Sequence, residues 1–232
     1  MPKAPSYPLF LNVAGHPILV VGGGTVALRK TKSLLECAAS VTIVSSQFNP
    51  GFDKLIEIER LETSYAATHM ARKPWRLVFA ATDAPLVNDQ VQKHAAEAGI
   101  LCCRSDDPDA GDFASGATAH LGGAHKAIGG ITVAVSTAGA SPLLAARICK
   151  QAAESIDPIL PVFADLLNGW RDVIKSQIPS IQDRRHLLQR LAGEEMETIV
   201  RKSGAAAAQR FFEEWLAASG TPAAAIKQSS AS

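Results

Sequence analysis

Along the first hundred residues the apolar positions fall into short β-branched runs separated by amphipathic stretches. Ile18–Val21 is apolar throughout and ends at Gly22-Gly23-Gly24, the pattern of a buried strand entering a tight turn. Thr25 to Glu36 sets Val26, Ala27, Leu28, Leu34 and Leu35 among basic residues and predicts a helix. Val41–Val44 predicts a second strand and Leu77–Ala80 a third. A helix is predicted from Pro85 to Ala98, closed by Gly99, with a further strand at Ile100–Cys103. Strands that alternate with helices predict an α/β fold with a parallel, doubly wound sheet.

The pattern changes after Phe113. Residues 114–130 are rich in Gly, Ala and His and show no clear periodicity, and Ile131–Ser136 reads as one more strand. Ser141-Pro142 stands where a helix should begin, with Pro142 in its first turn. From there to about Leu216 every segment reads as helical, with breaks expected at Pro158, Pro161, Pro179, Gly193 and Gly204. The small, polar residues from Ser219 read as a frayed tail. The expected organisation is a dinucleotide-binding domain over 1–113, a small linking element over 114–150 and a helical domain over 151–232.

The sharpest chemical signal is Gly22-Gly23-Gly24-Thr25-Val26-Ala27, a G-x-G-x-x-A turn that follows a strand and opens a helix. Gly22 permits the tight turn, Gly24 lets the backbone approach a pyrophosphate, and Ala27 lets the helix pack closely on the strand. The free N–H groups and the positive dipole end of the helix complete an anion site. This makes the sheet Rossmann-type and the expected cofactor a nicotinamide dinucleotide. A fold that selects NAD usually carries an acidic residue at the end of its second strand. Here Ser45-Ser46 stands there, so the residues alone leave NAD and NADP open.

The remaining composition narrows the class. The formal net charge is +1, which gives no argument for a nucleic-acid or membrane partner. No apolar run reaches the roughly 20 residues needed to span a bilayer. The N-terminus lacks the basic-then-apolar pattern of a signal peptide, so the cytoplasm is the expected location. Cys37, Cys102, Cys103 and Cys149 form no CxxC pair and read as free thiols.

Four blocks, taken in order, carry a family resemblance. They are Tyr7-Pro8-Leu9-Phe10-Leu11-Asn12-Val13 with Val20 to Lys30; Ala80-Ala81-Thr82-Asp83 with Asn88; Asp106-Asp107-Pro108 with Phe113; and Ser136 to Pro142 with Ala146-Arg147. Together they resemble the precorrin-2 dehydrogenases and the dehydrogenase part of sirohaem synthases. The resemblance covers roughly residues 7–150. It implies oxidation of precorrin-2, a tetrapyrrole bearing many carboxylates, to sirohydrochlorin with NAD as hydride acceptor. It also implies a homodimer built on the 114–150 element and, in some members, iron insertion by the same cleft. No methyltransferase part follows in this sequence, so a dehydrogenase without that fusion is expected. The family usually has Asn where Cys103 stands, apolar residues where Arg104 and Ser105 stand, and Pro where Gly116 stands.

The resemblance implies that Asp106 is catalytic. The residue also lies just past a predicted strand end, where ligands bind in doubly wound sheets, and could accept a proton or orient the substrate. The competing reading is a turn aspartate, since Asp-Asp-Pro-Asp is itself a turn signal. Asp107, Asp109 and Asp112 read as solvated loop residues. Thr82 and Asn88 flank the exit of the Leu77–Ala80 strand and could contact the cofactor; Thr82 or Asp83 could equally cap the following helix. Cofactor contacts are therefore expected from Gly22, Gly23, Gly24, Thr25, Val26, Ala27, Ser45, Thr82 and Asn88. His120 and His125 lack a strong ligand spacing, and no metal site is expected. Arg147, Lys150, Arg171, Lys175, Arg184, Arg185 and Arg190 are candidates for binding substrate carboxylates. An alternative from another class is a binding module that senses NAD and performs no chemistry, which would have no need of Asp106.

Overall fold

A computed structural model describes residues 6–107, 109–122 and 130–218. Pro108, His125, Lys126 and the tail from Ser219 lie outside the described residues. The chain divides into two compact units, one drawn from Met1–Ala117 and Ser136–Ala145, the other from Thr118–Val135 and Ala146–Ser232.

The first unit holds a five-stranded parallel sheet: β1 (Pro17–Val21), β2 (Ser40–Ser45), β3 (Ile58–Glu62), β4 (Leu77–Ala80) and β5 (Cys102–Arg104). Its order is β3-β2-β1-β4-β5, so the chain reverses direction of travel between β1 and β4. Ligands of doubly wound sheets bind at the carboxyl ends beside such a switch point. Strand alternation sends Ile18, Val20, Ile43, Phe79 and Cys103 to one face and Leu19, Val21, Val44, Val78 and Cys102 to the other. Helix α1 (Thr25–Glu36) covers the first face through Ala27 and Leu34, and α2 (Pro85–Glu97) covers the second through Val91 and Ala95. Both faces are buried, which is why the strands read as continuous apolar runs.

β3 escapes the hydrophobic pattern. Three of the five residues in its sequence, Ile-Glu-Arg-Leu-Glu, are charged, and it is an edge strand whose residues are no more than partly buried. Glu59 earns its place by accepting hydrogen bonds from Thr42 Oγ1 at 2.9 Å and Lys73 Nζ at 2.6 Å. β5 begins two residues later than the Ile100–Cys103 run suggests, and Arg104 is its last residue.

In the second unit β6 (Ala117–Leu121) pairs with β7 (Ile131–Val135) as a two-stranded sheet. β6 lies in the stretch that showed no periodicity; its alternation of Ala, Thr and His is too weakly apolar to register. The remaining helices are α3 (Pro142–Ser155), which begins in the first unit, α4 (Ile159–Gln177), α5 (Ile181–Leu191), α6 (Glu194–Ser203) and α7 (Ala205–Ala218). Ser141 accepts from Leu144 N at 3.2 Å and caps α3 as expected. Pro161 does not break a helix. It occupies the first turn of α4, where its missing N–H costs no bond. The helical core gathers Phe163, Trp170, Ile174, Leu191, Met196, Val200 and Phe212, with the Trp170 and Phe212 rings stacked 4.8 Å apart.

Candidate cofactor and active site

The carboxyl ends of β1, β2, β4 and β5 present Gly22–Gly24, Ser45, Thr82 and Asp106 along one edge of the sheet. Gly22 has φ +123°, and a Cβ there would stand 2.3 Å from the Ala81 carbonyl oxygen. A Cβ on Gly23 would strike the Gln47 carbonyl at 1.9 Å. These two glycines let three segments of backbone pass one another. Gly24 is different: a Cβ there meets nothing within 4 Å. It is the N-cap of α1, no side chain caps that helix, and Gly24, Thr25 and Val26 are all exposed. The uncapped N–H groups thus face open space that a diphosphate can fill, so the residues present fit the pyrophosphate of a dinucleotide. Ala27 is fully buried against the sheet, as its small size requires.

Ser45 is partly engaged. Its hydroxyl donates to the Gln47 carbonyl at 2.7 Å, which pins the β2 exit beside Gly23. The oxygen can still accept from a ribose hydroxyl.

Thr82 and Asn88 form one knot. Asn88 is fully buried. Its Oδ1 accepts from Thr82 N at 3.2 Å and from Thr82 Oγ1 at 2.7 Å, while its Nδ2 donates to Thr82 O at 3.1 Å. Thr82 Oγ1 in turn accepts from Ala84 N at 3.2 Å. Neither Thr82 nor Asp83 is the helix cap; Ala84 holds that position, without a side-chain bond. Asn88 therefore acts from inside, holding the β4–α2 loop in shape, and only the partly exposed Thr82 is open to a ligand.

Asp106 sits just beyond β5, with a quarter of its side chain exposed. Arg104 grips it side-on: Nε donates to Oδ1 at 3.1 Å and Nη2 to Oδ2 at 2.6 Å. Arg104 is itself buried, and its Nη1 donates to Asp89 Oδ1 and, at 3.2 Å, to Gln92 Oε1, both on α2. The Arg104 bonds hold the Asp106 carboxyl down at about 2, against the opposing effect of burial, with a further hydrogen bond from Asn88 acting the same way. The structure thus brings Asp106, Asn88 and Thr82 into one network. Its centre, Arg104 with Asp89 and Gln92, is not evident from the sequence.

Asp112 is an exposed loop residue, as expected, but it is also anchored to the sheet. Its Oδ2 accepts from Cys102 N at 2.8 Å and its own N–H donates to Cys102 O at 2.8 Å, closing the free edge of β5. Cys102 and Cys103 are buried, and burial pushes the Cys102 thiol up to about 12, as befits small apolar fillers. His120 pairs with Thr132 across β6 and β7 at 3.0 Å. Among the described residues no three His, Cys, Asp or Glu side chains are grouped to hold a metal ion. Of the basic candidates, Arg184 is spent on the carbonyls of Ile178 and Pro179, whereas Arg147, Lys150, Arg171, Lys175, Arg185 and Arg190 are exposed.

Residues 9–117 match an NAD(P)-binding family model. A solved precorrin-2 dehydrogenase, SirC, shares the fold with a TM-score of 0.67 at 22% identity, covering 91% of this chain and 98% of its own. A sirohaem synthase 2 from Aeromonas hydrophila is 34% identical over 185 residues, 79% of this chain and 37% of the relative. A sirohaem synthase from Pseudoalteromonas translucida is 30% identical over 218 residues, 93% of this chain and 44% of the relative. The chain is thus similar to sirohaem synthases over 79% and 93% of its own length in these two comparisons, and it shares the fold of a precorrin-2 dehydrogenase. The chain spans less than half the length of those curated relatives. Among the described residues, no helix is long and apolar enough to cross a membrane.

Proposed function

We propose that this protein oxidises precorrin-2 to sirohydrochlorin with NAD as hydride acceptor, a step of sirohaem or related tetrapyrrole synthesis in the cytoplasm. The observation that carries the reading is the placement of the uncapped Gly22–Gly24 turn and the Arg104-bound Asp106 on one carboxyl edge of the sheet. A nicotinamide held there supplies the hydride acceptor. Gly24, Thr25 and Val26 bind the diphosphate through backbone N–H groups, and Thr82 and Ser45 offer hydroxyls to the ribose side.

Asp106 provides a fixed negative charge. Loss of a hydride leaves the tetrapyrrole electron-poor, and a carboxylate already in place stabilises that developing positive charge without reorganising. A carboxyl held near 2 is a weak proton acceptor, so orientation and charge are its contribution, with the proton leaving to solvent. The same weakness argues against Asp106 as the acceptor of pyrrole protons in iron insertion. An NAD sensor would gain nothing from a buried arginine aimed at Asp106.

NAD rather than NADP is the cofactor that the family resemblance implies. Neither Ser45 nor Ser46 carries a carboxylate against a 2′-phosphate, so discrimination is expected to be shallow. The homodimer is supported by β6 and β7, where Leu121, Ile131, Val133 and Val135 remain only half-buried within one chain. Anaerobic incubation of the protein with precorrin-2 and NAD⁺ tests the function: absorbance of sirohydrochlorin should rise together with that of NADH.

A further inference from the structure

Arg104 is the most heavily engaged charged group in the first unit. Its guanidinium is buried, yet two of its three partners, Asp106 and Asp89, reach solvent, with 25% and 57% of their side chains exposed. Burying a guanidinium is costly, and a well-packed apolar residue is often as stable in such a place. The arrangement is also directional. Asp89 and Gln92 hold Nη1 from α2, which leaves the Nε–Nη2 edge to meet Asp106 in the two-point geometry that fixes a carboxylate in plane. One cation serves two carboxylates, so the cluster keeps a net negative charge at the sheet edge.

We propose that Arg104 is a positioning residue for the dehydrogenase: braced by Asp89 and Gln92, it locks Asp106 in one orientation, ionised, at the edge where the cofactor turn lies. The proposal rests on the functional reading above. Arg104 touches neither cofactor nor substrate; it acts through Asp106. Without it the Asp106 side chain regains rotamer freedom and takes up a proton more readily, because the Arg104 bonds are the first cause of its acidity.

Arg104→Met preserves length and apolar packing and removes the fork; Arg104→Lys keeps charge and removes the two-point geometry. Both should lower kcat by roughly tenfold to a hundredfold, in the range typical of positioned groups. The Kd for NAD⁺ by calorimetry should stay within about twofold. The pH profile separates this from a merely structural role: the acid limb of kcat should move to higher pH in Arg104→Met. Asp89→Asn, at a side chain 57% exposed, loosens the brace on Arg104 and should lower kcat by a smaller amount. A carbon-13 titration of the Asp106 carboxyl tests the clamp without substrate. In wild type it should stay ionised down to pH 3, and in Arg104→Met it should titrate at least one pH unit higher. An unshifted Asp106 titration, or an unchanged kcat and pH profile in folded Arg104→Met, would overturn the proposal. Wild type that binds NAD⁺ yet never oxidises precorrin-2 would sink the functional reading instead, while the carboxyl titration still decides the clamp.

Discussion

Asn88 and Thr82 are joined by three hydrogen bonds, two accepted by the Asn88 amide oxygen and one donated by its nitrogen to the Thr82 carbonyl. The amide is wholly buried at the start of α2 and serves as the backbone partner that the β4 exit loop lacks. Asn88→Ala would strand the Thr82 N–H and carbonyl. Leaving such groups unpaired costs about 1–3 kcal/mol each at most, so a loss of roughly 2–4 kcal/mol is expected by urea unfolding. Asn88→Asp should retain part of the stability but lose the bond to Thr82 O.

The three glycines of the turn should behave differently. Gly23→Ala drives a methyl into the Gln47 carbonyl and should destabilise the fold, as should Gly22→Ala against Ala81. Gly24→Asp has space for its side chain in the free protein, so thermal stability should hold. Its charge would stand where a diphosphate binds, and NAD⁺ affinity should fall at least tenfold, about 1.4 kcal/mol. Calorimetric titration with NAD⁺ and with NADP⁺ checks this, and in wild type the two Kd values should differ by less than a hundredfold.

Acid stability should carry the mark of Asp106. Its folded value, about 2, lies below the ordinary 3.8. A carboxyl lowered on folding stabilises the native state above its unfolded value, and that contribution disappears as pH falls through the folded value. Discounted for the solvent that reaches this exposed residue, the contribution is on the order of 1 kcal/mol at neutral pH. The stability gap between wild type and Asp106→Asn should therefore be full above about pH 4 and close toward pH 2, measured by denaturant melts at a series of pH values.

Assembly can be read from the β6–β7 pair. Val133→Asp places a charge on an apolar position that one chain leaves half-covered. Wild type should sediment as a dimer at micromolar concentration and Val133→Asp as a monomer. A monomeric wild type would remove the homodimer from the proposal.

The sheet was legible because its strands are buried on both faces and so read as apolar runs between glycine turns. The order of β1, α1, β2, β4 and α2 follows directly from Ile18–Val21, Val41–Val44 and Leu77–Ala80. β3 and β6 were not legible, because one is a charged edge and the other is built of Ala, Thr and His. Asp106 could be singled out by its place after a strand and by the family blocks. Arg104 could not, since its partners Asp89 and Gln92 lie 15 and 12 residues earlier, on a helix, and nothing in the linear sequence links them to it. Asp112 is an exposed loop residue as its sequence suggests, but its bond back to Cys102, ten positions earlier, is not legible from the sequence for the same reason.

The most direct measurement is anaerobic turnover of precorrin-2 with NAD⁺ by wild type, Asp106→Asn and Asp106→Ala, followed at the absorbance of sirohydrochlorin and of NADH. A fixed carboxylate that carries charge and orientation predicts rapid conversion by wild type. Both variants should lose about 10² to 10⁴ in kcat, with NAD⁺ affinity little changed. Near-normal turnover in both variants would show that Asp106 is a turn residue, and no conversion by NAD⁺-bound wild type would contradict the dehydrogenase itself.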